Sequence, residues 1–171
     1  MSERQRLFFG LRPGRDVRLR LQRVVAGHLL RARPVPPENY HVTLVFLGSC
    51  DVQQRELACG AAGTVRARPV RLSLTRLEHW RRPRILVLTG DAPAPALREL
   101  HAGLYAALVG RGFELEARAF RPHLTLARRA DRREAVSLAP QQLTFGEFHL
   151  LESVSGNEGS RYQSLRCWPL G

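Results

Sequence analysis

Arg121-Pro122-His123-Leu124-Thr125-Leu126-Ala127-Arg128 repeats the core of an earlier stretch, Tyr40-His41-Val42-Thr43-Leu44. His-x-Thr-Leu thus occurs at 41–44 and again at 123–126, each time in a short run rich in apolar and β-branched residues. Such runs read as strands, in which side chains two apart share a face. His41 and Thr43 then point one way, as do His123 and Thr125, while Val42, Leu44, Leu124 and Leu126 face a core. The chain presents two imidazole–hydroxyl pairs outward from two strands.

Upstream of the first motif, Arg6–Leu11 reads as a strand closed by the turn Arg12-Pro13-Gly14. A helix from Asp16 to about Leu30 follows, with Val17, Leu21, Val24, Val25, His28 and Leu29 on one apolar stripe. His28 is a packing or capping residue, as a lone histidine without a partner motif usually is. Pro34, Pro36 and Pro37 end that helix and lead into a motif strand from Asn39 to Leu47.

Between the motifs, Asp51 caps a helix running to about Ala62. Strands over Pro69–Leu77 and Arg84–Leu88 come next, with Glu78–Pro83 as the hairpin loop between them. Pro95–Val109 repeats Leu97, Leu100, Leu104, Tyr105 and Leu108 at helical spacing, and His101 within it has the same structural reading as His28. The second motif strand spans Phe120–Ala127, and the basic segment 128–133 follows it directly. Closing strands over Leu143–Ser153 and Tyr162–Leu170 flank a loop with Gly156 and Gly159. A helix followed by a His-x-Thr strand occurs twice, which predicts an internal duplication with the two motifs facing across a cleft.

The chain has 171 residues, enough for one domain with a substantial core, and a formal net charge of +12. All 27 basic residues are arginine. A GC-rich coding bias accounts for arginine in place of lysine, but not for the excess of positive charge. Guanidinium groups grip phosphate oxygens in pairs, so nucleic acid or a nucleotide is the expected partner. Cys50, Cys59 and Cys167 show no Cys-x-x-Cys spacing, which points to a reducing cytoplasm and to neither a disulfide framework nor a zinc site. There is no signal-peptide pattern and no apolar run of the roughly 18 residues that a membrane helix needs. A cytoplasmic monomer, unanchored to membrane, is expected.

Two imidazoles and two hydroxyls in one cleft suit phosphodiester cleavage. One neutral imidazole takes a proton from water while the other, protonated, gives one to the departing oxygen. The hydroxyls and Arg128 stabilise charge on the non-bridging oxygens. A metal centre fits the motifs poorly, because threonine is a weak ligand and neither motif holds Asp, Glu or Cys. No Gly-x-Ser-x-Gly nucleophile elbow is present. The loop with Trp80 beside arginines offers a stacking surface for a single-stranded end.

At these residues the chain resembles the 2H phosphoesterase superfamily, and within it the bacterial and archaeal RNA 2′,3′-cyclic phosphodiesterases once called 2′-5′ RNA ligases. The resemblance rests on Leu7-Phe8-Phe9-Gly10, on both motifs with their flanks (41–48 and 121–128), on Trp80 and Arg82, and on Arg161-Tyr162-x-x-Leu165-x-x-Trp168. It implies an α+β fold in two lobes, with two antiparallel sheets facing across a central cleft in pseudo-twofold fashion and helices outside. It implies chemistry without a cofactor or metal, on RNA ends bearing a 2′,3′-cyclic phosphate or related nucleotides. His41 would be the proton donor and His123 the acceptor; Thr43, Thr125 and Arg128 would bind the phosphate, and Trp80, Arg82 and Tyr162 would be possible RNA contacts. The same groups could instead serve a 2′-5′ RNA ligase, a phosphodiesterase for small cyclic or 2′,5′-linked nucleotides, or a non-catalytic RNA-end-binding module. Strand parity opposes one assignment. Arg128 lies an odd number of residues beyond His123, so it reaches the cleft only if the strand bends, bulges or ends near Ala127.

Overall fold

Leu7-Phe8-Phe9-Gly10-Leu11 is buried at every position of its strand, β1 (Gln5–Leu11), which is hydrogen-bonded to a strand on either side. Leu7, Phe9 and Leu11 enter the hydrophobic core, while Phe8 points the other way, into a cleft. The computed structural model describes residues 4–28, 31–90, 94–157 and 159–171.

In chain order the remaining elements are α1 (Arg15–Val25), β2 (Arg33–Pro34), β3 (Val42–Cys50), α2 (Val52–Ala62), β4 (Val70–Trp80), β5 (Ile85–Thr89), α3 (Pro95–Val109), β6 (Leu124–Arg128), β7 (Val136–Phe145), β8 (Glu147–Gly156) and β9 (Gly159–Pro169). Helix α1 gives way to a 3₁₀ turn at Ala26–His28, and the expected helix end at Leu29 and Leu30 lies outside the described residues. Asp51 caps α2 as expected, with a reciprocal bond to Gln54 that completes a capping box.

The strands form one antiparallel path, β7-β4-β5-β6-β3-β1-β8-β9, with β2 added on β6. Its two halves, β7-β4-β5-β6 and β3-β1-β8-β9, meet through a single register pair, Val42 with Leu124. The two expected sheets are therefore hydrogen-bonded to each other at one point. Two residues beyond that pair each motif strand has a register shift against its other neighbour. The units β1-α1-β3 and β5-α3-β6 occupy equivalent places on either side of that junction. Helices α2 and α3 pack on each other and on the sheet, and Leu21, Val25, Leu97, Leu100, Leu104 and Leu108 are the fully buried face of α1 and α3.

Several expected boundaries move. The motif strands begin at Val42 and Leu124, not at Asn39 and Phe120, so both motif histidines precede their strands. Glu78, His79 and Trp80 belong to β4, not to a hairpin loop: they pair with Val87, Leu86 and Ile85, and only residues 81–84 turn. A strand expected over Leu143–Ser153 is two strands, split at Gly146, with β7 on β4 and β8 on β1. Pro140 and the polar run around it hid the start of β7. They are tolerated because β7 is an edge strand, and its register against β4 shifts between Gln141 and Ser137, the segment that holds Pro140.

Candidate active site

Both motifs carry the same backbone irregularity. Against β1, Phe9 pairs with Val45 and Gly10 with Thr43, so Leu44 is an extra residue. Against β5, Leu86 pairs with Ala127 and Val87 with Thr125, so Leu126 is the extra residue. The fourth residue of each His-x-Thr-Leu is thus a β-bulge, and two consecutive buried side chains follow each threonine. This resolves the parity of Arg128. The bulge at Leu126 shifts the alternation by one, which turns Arg128 back to the face that carries Thr125.

The junction pair Val42–Leu124 sets the two motifs head to tail. Continuing that antiparallel register puts His41 beside Thr125 and Thr43 beside His123. Each histidine lies immediately before its strand and is held there by its own backbone. His41 Nδ1 donates to the Asn39 carbonyl at 2.7 Å, and His123 Nδ1 donates to the Arg121 carbonyl at 2.7 Å. A carbonyl only accepts, so Nδ1 carries the hydrogen in both rings, and Nε2 is the atom that gains or loses a proton. His41 Nε2 lies 3.1 Å from the Thr43 hydroxyl.

Aromatic rings enclose both imidazoles. His41 sits 4.9 Å from Phe8 and 4.8 Å from Tyr162, whose ring meets it edge-on. Trp80 packs against His123 at 4.4 Å, and the Arg121 guanidinium covers the Trp80 ring at 4.7 Å. Glu78 fixes this second group: it accepts from Trp80 Nε1 at 3.0 Å and from the Thr89 hydroxyl at 2.9 Å, and pairs with Arg121. Burial pushes the Glu78 carboxyl up, but those two bonds and nearby arginines outweigh it and hold the group below its usual range.

Burial is also the main cause of the lowered pKa of both histidines. His41 falls to about 4, with the Asn39 carbonyl opposing the shift and the charges of His123, Arg128 and Arg12 adding to it. His123 is lowered in the same sense, opposed by the Arg121 carbonyl and aided by the Arg121 charge. A bound anion acts against these causes.

His41, Thr43, Trp80, Arg82, His123, Thr125, Arg128 and Tyr162 all line one cleft of about 470 Å³. These are the eight residues singled out from the sequence, and the fold brings them together. The sequence reading missed Phe8, Arg6, Phe46, Arg118 and Ser153, which line the same cleft, and Asn39, which builds it. Phe8 could have been found from its alternation with Leu7 and Phe9. Asn39 left no such signal. It is 8% exposed, and its amide gives a bond to the Ser160 carbonyl at 2.7 Å and takes one from the Tyr162 N–H at 3.1 Å, tying β9 to the turn that holds His41. Arg128 in turn donates to the Tyr162 hydroxyl at 3.4 Å.

The other singled-out residues stay outside the cleft lining. His101 stacks on Phe120 at 4.0 Å, and the His28 carbonyl accepts from Arg133. In the basic segment, Asp131 pairs with Arg84 and Ala130 is buried. The β8–β9 register sets Cys167 opposite His149, so Cys167 lies with His149 and Glu147 in a group that sequence spacing did not reveal.

The family model described as the 2′-5′ RNA ligase superfamily matches residues 13–157. The RNA 2′,3′-cyclic phosphodiesterase of Escherichia coli (strain K12) is 32% identical over 176 residues, covering 99% of each chain. Among solved structures, E. coli LigT in apo form matches with a TM-score of 0.89 at 30% identity over 99% of each chain. LigT complexed with 3′-AMP gives 0.88 at 30% identity, covering 98% of this chain and 99% of that chain.

Proposed function

The chain belongs to the 2′-5′ RNA ligase superfamily, and from that premise we propose that it hydrolyses RNA-terminal 2′,3′-cyclic phosphates to 2′-phosphomonoesters. The observation that carries this reading is the pairing of the two motifs through Val42 and Leu124, which presents two proton-exchanging Nε2 atoms and two hydroxyls to one cleft. The relatives support the substrate class: E. coli and Bacillus subtilis proteins carry the name RNA 2′,3′-cyclic phosphodiesterase, and LigT is complexed with a nucleoside monophosphate.

His123 Nε2 takes a proton from water as the water oxygen bonds to phosphorus. The bond from phosphorus to O3′ breaks, and His41 Nε2 gives its proton to O3′. Thr43, Thr125 and Arg128 hold the non-bridging oxygens where negative charge develops. Trp80, Arg82 and Tyr162 contact the nucleotide. The donor role requires His41 to be protonated, and the substrate's anionic phosphate raises its pKa for that purpose. Each motif supplies only imidazole and hydroxyl groups, so acid–base chemistry suffices without a metal.

The test is incubation of an oligonucleotide ending in a 2′,3′-cyclic phosphate, followed by identification of the terminal group. A 2′-phosphate is the expected product. A 3′-phosphate would mean that the leaving oxygen is O2′, and an intact cyclic phosphate would overturn the reading.

A further inference from the structure

We propose that Glu147, His149 and Cys167 form a zinc-binding site on the β8–β9 hairpin at the end of the sheet. None of the three lines the cleft. Their ligand atoms all lie within 4.8 Å of one another, and Glu147 Oε1 stands 3.3 Å from His149 Nε2. Zinc bonds of about 2.0–2.3 Å in a tetrahedral array set ligand atoms roughly 3.3–3.8 Å apart. Glu147 and Cys167 are exposed, so rotation of their side chains closes the remaining distance.

Strand geometry builds the group. His149 and Cys167 are register partners on adjacent antiparallel strands, so their side chains leave the sheet side by side. Glu147, two residues before His149 on β8, shares its face. On β9, Leu150 pairs with Arg166 and Leu151 with Ser164, which makes Leu165 an extra residue. In a regular strand Ser164 and Cys167 would point to opposite faces; the bulge turns both toward His149.

Ser164 supplies the outer support that a zinc-bound histidine needs. Zinc on Nε2 requires the ring hydrogen on Nδ1, and Ser164 Oγ stands 2.9 Å away to accept it. The His149 side chain is only 12% exposed, and it is held with Nε2 toward the other two ligands. Thiolate, imidazole and carboxylate together select zinc over magnesium or calcium, which take oxygen ligands. Two anionic ligands cancel the double charge of the ion, so the neighbouring Arg12 guanidinium faces a neutral centre. Burial and the Glu147 charge raise the pKa of the Cys167 thiol in the free protein. Formation of the zinc–sulfur bond therefore breaks the S–H bond and releases its proton to solvent.

The experiment titrates the metal-free full chain with zinc by calorimetry and with cobalt(II) by absorption spectroscopy. One zinc should bind at this site with proton release and raise Tm, and cobalt should give near-ultraviolet thiolate-to-metal absorption. Cys50 and Cys59 are buried, which leaves Cys167 as the source of that signal. Cys167→Ser changes one atom at an exposed position, so the fold is kept; it should abolish the absorption and weaken zinc by more than about 100-fold. Ser164→Ala should weaken zinc by about 10–100-fold. Wild-type protein that takes up no zinc, cobalt absorption without the thiolate band, or an affinity that either replacement leaves unchanged would overturn the site.

Discussion

Val42 and Leu124, the residues between histidine and threonine in the two motifs, are register partners across the sheet junction. Equivalent positions that pair with each other place a local twofold axis between them. The histidine of one motif thereby stands beside the threonine of the other, and the bulges at Leu44 and Leu126 fall symmetrically on either side. In the proposed reaction neither motif acts alone.

The hydroxyls are tested by isosteric replacement. Thr43→Val and Thr125→Val keep the strand surface but remove the O–H proposed to hold the phosphate, and each should lower kcat about 10²–10³-fold with smaller effects on KM. Thr43→Val also removes the partner of His41 Nε2. Steady-state kinetics on a cyclic-phosphate oligonucleotide decides this, and a change confined to KM would assign the hydroxyls to ground-state binding only.

The lowered pKa of His41 has a sign that titration can check. In the free protein burial and neighbouring positive charge hold it at about 4 against an ordinary 6.5. Between those values the unfolded chain binds a proton that the folded chain does not. This contribution to stability is complete above about 6.5 and is lost as pH falls through about 4. An anion in the cleft reverses the effect, so inorganic phosphate should bind more tightly as pH falls from neutrality toward 5, with proton uptake. NMR titration of the His41 ring should show its pKa rising when phosphate is added. A pKa that does not move would pass the donor role to His123.

Asn39 carries a structural prediction. Asn39→Ala leaves the Ser160 carbonyl and the Tyr162 N–H without their partner in a part-buried setting. The cost should be about 1–3 kcal/mol, read as a fall of several degrees in Tm. Because Tyr162 and the turn before His41 both loosen, kcat should fall as well, while Asn39→Asp should recover the bond from the Tyr162 N–H but not the one to Ser160.

Much of this was legible in the sequence, and what was not has physical causes. The two motifs announced themselves because each combines strand-forming residues with a rare polar pattern, and all eight residues singled out for the site do line the cleft. The reach of Arg128 was not decidable, since a bulge depends on how β6 meets β5 and leaves no mark in composition. Trp80 read as a loop residue because Arg81, Arg82 and Pro83 follow it; pairing with Ile85 keeps it in β4 and against His123. Strand β7 was hidden by Pro140, which only an edge position permits. Asn39 works through contacts with β9, far along the chain, and no local pattern encodes such a bond.

Removal of metal ions should leave the rate unchanged. Protein dialysed against EDTA and assayed in its presence is expected to retain full activity, because the proposed mechanism places proton transfer on two imidazoles. Loss of activity that zinc or magnesium restores would contradict this.

The paired action of His41 and His123 is tested most directly by single-turnover rates on an RNA ending in a 2′,3′-cyclic phosphate. Wild type, His41→Ala, His123→Ala and the double variant are compared. Each single replacement should slow opening by about 10²–10⁴-fold, with the double variant little slower than the worse single one, since in the proposed reaction the base and the acid act in the same displacement. Either single variant retaining near wild-type rate, or losses that simply multiply in the double variant, would contradict the account.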